Sequence, residues 1–310
     1  MSDLAEVDLD LEIDTHRDEG SGQTIALSVC LLARDEEAEL ARCLAAVEWA
    51  DEIVVVVDDR SRDGTERVAR ALASRVERRA YAGDVEQKRY CTSLAKHDWV
   101  LILDPDEVVP VELADSIRAA LAASGAHASG EIVGSLDSKR DLPVAYRLNR
   151  ITYHLGRWIR HGDFYPDWKL RLFRRSRARF VGFDPHGRVE VEGQVGVLQG
   201  DLEHYSYRDL ADQVQRIQFF SDQAADALVV RQRPFRIRDL VLRPPARFLR
   251  SYFLKQGLRD GLPGFVIAVA SGFYVFLKYA KQWERLRSGG EPIEVQGEEG
   301  DRERDGGGQR

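Results

Sequence analysis

Trp99-Val-Leu-Ile-Leu-Asp-Pro-Asp-Glu107 is the stretch on which the fold turns. Its five leading apolar residues are too few for a helix. They are too uniformly apolar for a half-exposed sheet edge, so Trp99–Leu103 reads as a strand buried on both faces. The charged residues that follow mark the strand's carboxyl end, where open α/β sheets bind ligands. The pattern recurs upstream. Residues 25–32 and 52–57 (Glu-Ile-Val-Val-Val-Val) are further buried strands. Each runs into a polar cluster, Arg34-Asp-Glu-Glu37 and Asp58-Asp-Arg-Ser-Arg-Asp-Gly-Thr65. Leu40, Leu44 and Val47 recur at helical spacing around 34–46, and Asp63-Gly-Thr opens a helix to about residue 74. A short strand is expected at 75–80, with helices at 86–96 and 113–123. Strands alternating with helices predict an α/β fold with a mixed, mostly parallel central sheet flanked by helices.

Beyond a polar loop at 125–141 the texture changes. Residues 144–153, 168–174 and 189–202 read as strands interrupted by Gly and Pro, and 210–229 as a helix. The 310 residues are 44% hydrophobic and 31% charged, a globular composition that excludes collagen, a long coiled coil and a wholly disordered chain. Three cysteines are too few for a disulfide scaffold and lack zinc-site spacing, which fits a reducing compartment. No basic start followed by an apolar run opens the chain, so no secretory signal is expected.

The net charge of −7 hides unlike regions. Residues 1–20 carry eight acids and one Arg, and 291–310 seven acids and three Arg, which leaves the rest at +4. The ends, 1–22 and 288–310, read as acidic disordered tails. The α/β domain is expected over 23–230. Residues 231–287 are expected to form basic amphipathic and apolar helices: Arg231 to Arg259 holds nine basic residues against Asp239 alone. These alternate with Phe235, Leu242, Phe248 and Phe253, and 261–277 then runs 17 residues without a charge. That is marginal against the ~20 apolar residues a span needs, and Pro263, Gly264 and Gly272 weaken the spanning reading. A surface-lying anchor on an anionic membrane fits best, placing the chain peripherally on the cytoplasmic face. A buried helix with an Arg-rich solvent face is the competing reading. The acidic whole and the lack of a binding motif argue against nucleic acid.

The three polar clusters carry the chemistry. One acid after a strand is commonly a helix cap, but three such clusters at one rim would repel without a cation or ligand donors. If the chain stays extended past Leu103, Asp104 and Asp106 lie on one side. Paired hard oxygens of this kind suit Mg²⁺ or Mn²⁺ shared with substrate phosphates. Asp58 and Asp59 are placed to accept hydrogen bonds from a uracil or ribose, and Asp63 to cap the following helix. Gly-x-Gly-x-x-Gly, P-loop and Gly-x-Ser-x-Gly patterns are absent at these turns.

Together these residues carry a resemblance. Ser28-Val-Cys-Leu-Leu-Ala-Arg-Asp-Glu-Glu37, Asp58–Thr65 and Trp99–Glu107 resemble the family 2 glycosyltransferases of the GT-A (Rossmann-like) fold, in the subgroup of lipopolysaccharide core glucosyltransferases. Tyr165-Pro-Asp-Trp-Lys-Leu-Arg-Leu-Phe-Arg-Arg175, His204-Tyr-Ser-Tyr207 and Phe276-Leu-Lys-Tyr-Ala-Lys-Gln-Trp-Glu284 extend the similarity over roughly 25–285. The resemblance implies inverting transfer from a nucleotide-diphosphate sugar, usually UDP-linked, with a divalent cation. By that match Arg34, Glu36, Asp58, Asp59, Lys88 and Asp104 bind the nucleotide sugar, and Asp106, with Asp104, the metal. Gln87 falls in the helix that borders the nucleotide. Asp35 stands where relatives usually have Asn, Tyr90 near a common Asn, and Gly187 where many have Glu.

Inversion needs a base for the acceptor hydroxyl. Asp184 and His186 are the candidates, with Asp167 and Glu203 open beside them. Tyr165, Trp168 and Arg171, in a stretch of alternating aromatic and basic residues, are expected to bind an anionic glycolipid acceptor such as lipopolysaccharide core. Transfer to a polyprenyl phosphate carrier is a second reading. A catalytically inactive relative serving as a membrane scaffold is a third.

Overall fold

The computed structural model describes residues 26–125, 142–182 and 187–288. The Trp99 stretch is the strand expected, and its neighbours assemble around it. The chain runs β1 (Leu27–Ala33), α1 (Glu37–Ala45), β2 (Glu52–Asp58), α2 (Thr65–Leu72), β3 (Arg75–Arg79), α3 (Asp84–Ser93), β4 (Trp99–Leu103), β5 (Glu107–Val108) and α4 (Val111–Ala123). It continues through β6 (Ala145–His154), β7 (Arg157–Ile159), β8 (Asp167–Arg174), β9 (Ala178–Val181), β10 (Arg188–Val191) and β11 (Val195–His204). Three long helices close the described chain: α5 (Leu210–Val230), α6 (Ile237–Leu249) and α7 (Gly261–Arg287).

The main sheet has the order β3-β2-β1-β4-β8-β6-β11-β5, with β7 on β6. Its first four strands are parallel, as are β6 and β11, while β4–β8, β8–β6 and β11–β5 are antiparallel. All seven residues of β2 and all five of β4 are buried, because helices cover both faces. Alternate side chains divide between two cores. In β1, Leu27, Val29 and Leu31 pack with Leu40, Leu44, Leu113 and Ile117 of α1 and α4, whereas Cys30 packs with Val54, Val100 and Cys91 of α3.

One expectation needs correction. The strand expected at 189–202 is two strands. The chain reverses at Gly193, whose φ of +142° favours glycine, so β10 pairs with β9 in a separate ribbon while β11 joins the main sheet. The stretch at 261–277, marginal in length for a span, lies in a longer helix, α7, continuous for 27 residues, about 40 Å. Pro263 falls in its first turn, where its missing N–H leaves no bond unmade. Gly264 and Gly272 lie in packing seams. A Cβ at Gly264 would collide with the Gly257 carbonyl oxygen, and one at Gly272 would stand 3.1 Å from that of Pro244 in α6.

Helix α7 is bound to α5 by polar contacts. The Lys281 ammonium donates to the Gln218 carbonyl at 2.9 Å and the Ser221 hydroxyl at 2.8 Å, and Arg285 pairs with Asp222 at 2.9 Å. At its other end the buried Asp260 carboxylate accepts from the backbone N–H of Arg160 and of His161, tying the helix to the loop after β7. Residues 1–22, and all but the first residue of 288–310, lie outside the described residues.

Candidate active site

Parallel pairing places the carboxyl ends of β1, β2 and β4 at one rim: Ala33 is opposite Val57, and Leu31 opposite Leu103. The clusters after β1 and β2 interlock there. Asp35 adopts φ +52°, a left-handed conformation that Asn and Asp tolerate better than most residues. Its carboxylate accepts from the Arg62 N–H at 2.7 Å, while Glu36 N–H donates to Thr65 Oγ1 at 2.8 Å. Asp63 accepts from Thr65 N–H at 2.9 Å, the cap expected of it.

The repulsion anticipated among the rim acids is relieved largely by arginines of the chain. Arg60 holds both oxygens of the buried Asp58 carboxylate, at 3.0 and 2.7 Å, and this hydrogen bonding brings Asp58 down to about 2. Asp59 is exposed, with Arg78 bonded to its carbonyl at 2.7 Å. Arg34 is exposed and donates its N–H to Glu36. Glu36 is driven up to about 7, mainly by burial and further by the negative charge of Asp106 and Asp104. Gln87 is buried, and its Oε1 lacks a hydrogen-bond partner among the described residues.

Asp104 and Asp106 do not share a side. The chain turns at Pro105, closed by Glu107 N–H donating to the Asp104 carbonyl at 2.9 Å, because Pro suits the second position of a turn. Asp104 therefore meets Arg171 and, at 3.8 Å, Lys88. Burial raises its carboxyl, but these cations outweigh burial and hold it well below the usual range. Asp106 faces the other way, its Oδ2 3.3 Å from His204 Nε2, while His204 Nδ1 meets Thr152 Oγ1 at 3.3 Å. A carboxylate beside an imidazole fits a divalent cation that takes its other ligands from substrate phosphates. No group of three His, Cys, Asp or Glu gathers among the described residues.

Three residues escaped the sequence reading as site residues. His204 entered the sequence reading only within the His204–Tyr207 motif, and the β11–β5 pairing brings it to Asp106. Glu107 is fully buried, accepting from Arg171 at 2.5 Å and Arg150 at 3.1 Å. Arg150 also binds Asp167 at 2.8 Å. The acid directly after the Asp-x-Asp was the only signal for this network.

Beside Asp104 opens a cleft of about 420 Å³ lined by Lys88, Arg150, Lys169, Arg171 and Arg188 with Trp168. Trp168 is 46% exposed, available to a ring face. Arg171 is not available to an acceptor as expected: it is buried and occupied by Asp104 and Glu107. Tyr165 donates its hydroxyl to Asp201 at 3.3 Å and lies away from these basic side chains. Asp184 and His186 lie outside the described residues. Of the other base candidates, Asp167 is raised by burial, but Arg150 and Lys169 outweigh this and keep it ionised. Glu203 accepts from the Tyr205 hydroxyl at 3.1 Å and lines a separate polar cleft with Trp158 and Arg160.

The sequence profile of glycosyl transferase family 2 matches residues 28–181, which include all three clusters of the rim. The lipopolysaccharide core biosynthesis glycosyltransferase LpsC of Rhizobium meliloti is 29% identical over 268 residues, covering 84% of this chain and 93% of its own. An uncharacterized glycosyltransferase of Rickettsia typhi is 28% identical, covering 82% and 86%. Among solved structures, Staphylococcus aureus TarS 1–349 in complex with UDP aligns at 13% identity and a TM-score of 0.42, covering 86% of this chain and 92% of its own.

The parallel half with its acidic rim, together with these relatives, makes the chain a glycosyltransferase. More narrowly, residues 28–181 are a family 2 glycosyltransferase domain, in a chain similar along most of its length to a lipopolysaccharide core enzyme.

Proposed function

We propose that the protein transfers a sugar, with inversion, from a UDP-linked donor to a cell-envelope glycolipid such as lipopolysaccharide core. The observation that carries this reading is the division of labour across the turn at Pro105. Asp106 and His204 form one half, an O/N pair for Mg²⁺ or Mn²⁺. Asp104, Arg171 and Lys88 form the other, a charged wall on a basic cleft. A divalent cation bound there would neutralise charge developing on the leaving diphosphate. Lys88 and Arg188 of the cleft would hold phosphate oxygens through charge-assisted hydrogen bonds. Glu107 and Arg150 keep Arg171 fixed, so the wall does not reorganise as charge develops. Asp58, Asp59 and Arg34 are the groups for the nucleoside end, and the unpartnered Gln87 Oε1 calls for a donor nearby.

The acceptor's place follows from charge: a cleft with Lys88, Lys169 and Arg188 in its lining, beside Asp84 and Asp104, suits phosphorylated or carboxylated sugar, with Trp168 as the ring platform. The base remains Asp184 or His186, with Glu203 beside its polar cleft as the alternative. Membrane association is the other part of the reading. Helix α7 is apolar and long enough to cross a bilayer, yet Lys281, Gln282 and Arg285 bind α5 and the 233 loop, which favours lying on the surface. Exposed Ile237, Leu242, Leu254 and Leu262 beside the arginines of 231–259 are the matching surface, on the cytoplasmic face.

A panel of nucleotide sugars, each with and without Mn²⁺, tests the donor by thermal shift. One UDP-sugar is expected to raise the melting temperature in a Mn²⁺-dependent way that Asp106→Ala abolishes. No shift with any nucleotide sugar would sink the reading.

A further inference from the structure

Helices α5 and α7 do not close on one another along their whole length. Between them lies a cleft of about 390 Å³, walled by Phe164, Tyr207, Ile217, Phe220, Ile267 and Tyr274. Its floor is dry, with Ile267 1% exposed. Two guanidiniums also line it, Arg216 from α5 and Arg247 from α6, 44% and 39% exposed; the Nε of each pairs with a carboxylate, Asp212 at 3.3 Å and Asp163 at 2.9 Å. The lining thus grades from hydrocarbon to partly solvated cation. Gln223 Oε1, in the same wall, is buried without a hydrogen-bond partner among the described residues. A buried amide oxygen left unpaired is costly unless something donates to it.

A row of packed, mostly buried side chains connects the cleft's wall to the candidate active site. Arg150, Thr152 and His154 alternate along one face of β6. Thr152 touches His204, the partner of Asp106. His154 touches Gln213 at 3.1 Å and packs against Tyr207 at 5.0 Å between ring centroids, and both of these line the cleft. The row leads from the Asp106 end of the site to the apolar space.

We infer that this cleft binds the hydrocarbon chain of an acidic lipid acceptor, with Arg216 and Arg247 holding the anionic group at its head. The inference rests on the glycolipid reading above and adds a seat for the lipid end. Apolar walls alone would accept any greasy molecule. The guanidinium nitrogens of Arg216 and Arg247 beyond those held by Asp212 and Asp163 are the groups that would favour an anion whose tail enters.

The test uses the purified full chain and decyl phosphate below its critical micelle concentration, with propyl phosphate and 1-decanol as controls, by isothermal titration. Decyl phosphate is expected to bind at one site and propyl phosphate at least about tenfold more weakly. Ala270→Trp, which fills the cleft, is expected to weaken decyl phosphate by about tenfold or more, with Ala224→Phe as a second filling variant should the first not fold. Arg216→Gln is expected to weaken decyl phosphate more than 1-decanol. Both filling variants should still float with anionic vesicles, which separates the cleft from the outer surface. Unchanged decyl phosphate binding in a folded filling variant would overturn the inference, as would propyl phosphate binding equally well. The donor thermal shift is read in parallel. If it fails while cleft binding behaves as expected, the transferase reading is at fault and the cleft stands; if it succeeds while cleft binding fails, the reverse holds.

Discussion

Asp104 and Asp106 are two residues apart and have opposite surroundings. Arg171 and Lys88 neutralise the first, whereas the second stands beside the His204 imidazole. In the proposed function Asp106 is therefore the carboxylate for a cation. Asp106→Ala is expected to lower kcat by on the order of 10²-fold or more while leaving the fold intact, measured by steady-state transfer with a competent acceptor. Full turnover in that variant would remove the metal role. Asp58 makes a different contribution. Arg60 depresses it from an unfolded value near 3.8 to about 2, so its stabilisation is present above about 4 and lost as pH falls through 2. Denaturant midpoints between pH 5 and 2 should fall less steeply for Asp58→Asn than for the unaltered chain. The sequence named these acids but not their partners. Arg171 and His204 reach them from strands 67 and 98 residues further on.

At the scale of elements, apolar runs and turn residues located β1, β2, β4, α1 and α5 well, because strands buried on both faces and amphipathic helices leave local patterns. They located the helices of 231–287 but not the part glycine plays in α7. Its role there is contact: the bare Gly264 lets the helix press against the Gly257 carbonyl. Gly264→Val is expected to cost about 1–3 kcal/mol through overpacking, seen as a lower Tm. An unchanged Tm would mean that the 257–264 seam opens easily. The split of 189–202 at Gly193 was likewise hidden, since a reversal and a bulge carry the same residue type.

Across the whole molecule, charge and apolar surface coincide on the helices that follow residue 210. Exposed Phe219, Phe220, Ile237, Leu254 and Phe273 share that layer with the basic run of 231–259. The full chain is expected to float with anionic vesicles, to ignore neutral ones, and to be released progressively as salt rises, since screening weakens attraction between a basic face and acidic lipid. Flotation indifferent to lipid charge would remove the electrostatic part. The sequence by itself determined the parallel half, the acidic rim and the basic tail of the described chain, because each is written in local runs of one residue type. Only the tertiary structure decided that Arg171 meets Asp104, that His204 stands beside Asp106, and that α5 and α7 part to leave a cleft. Those outcomes depend on pairing between strands and packing between helices far apart in the chain, and side chains that meet across such distances leave no periodic trace in the sequence.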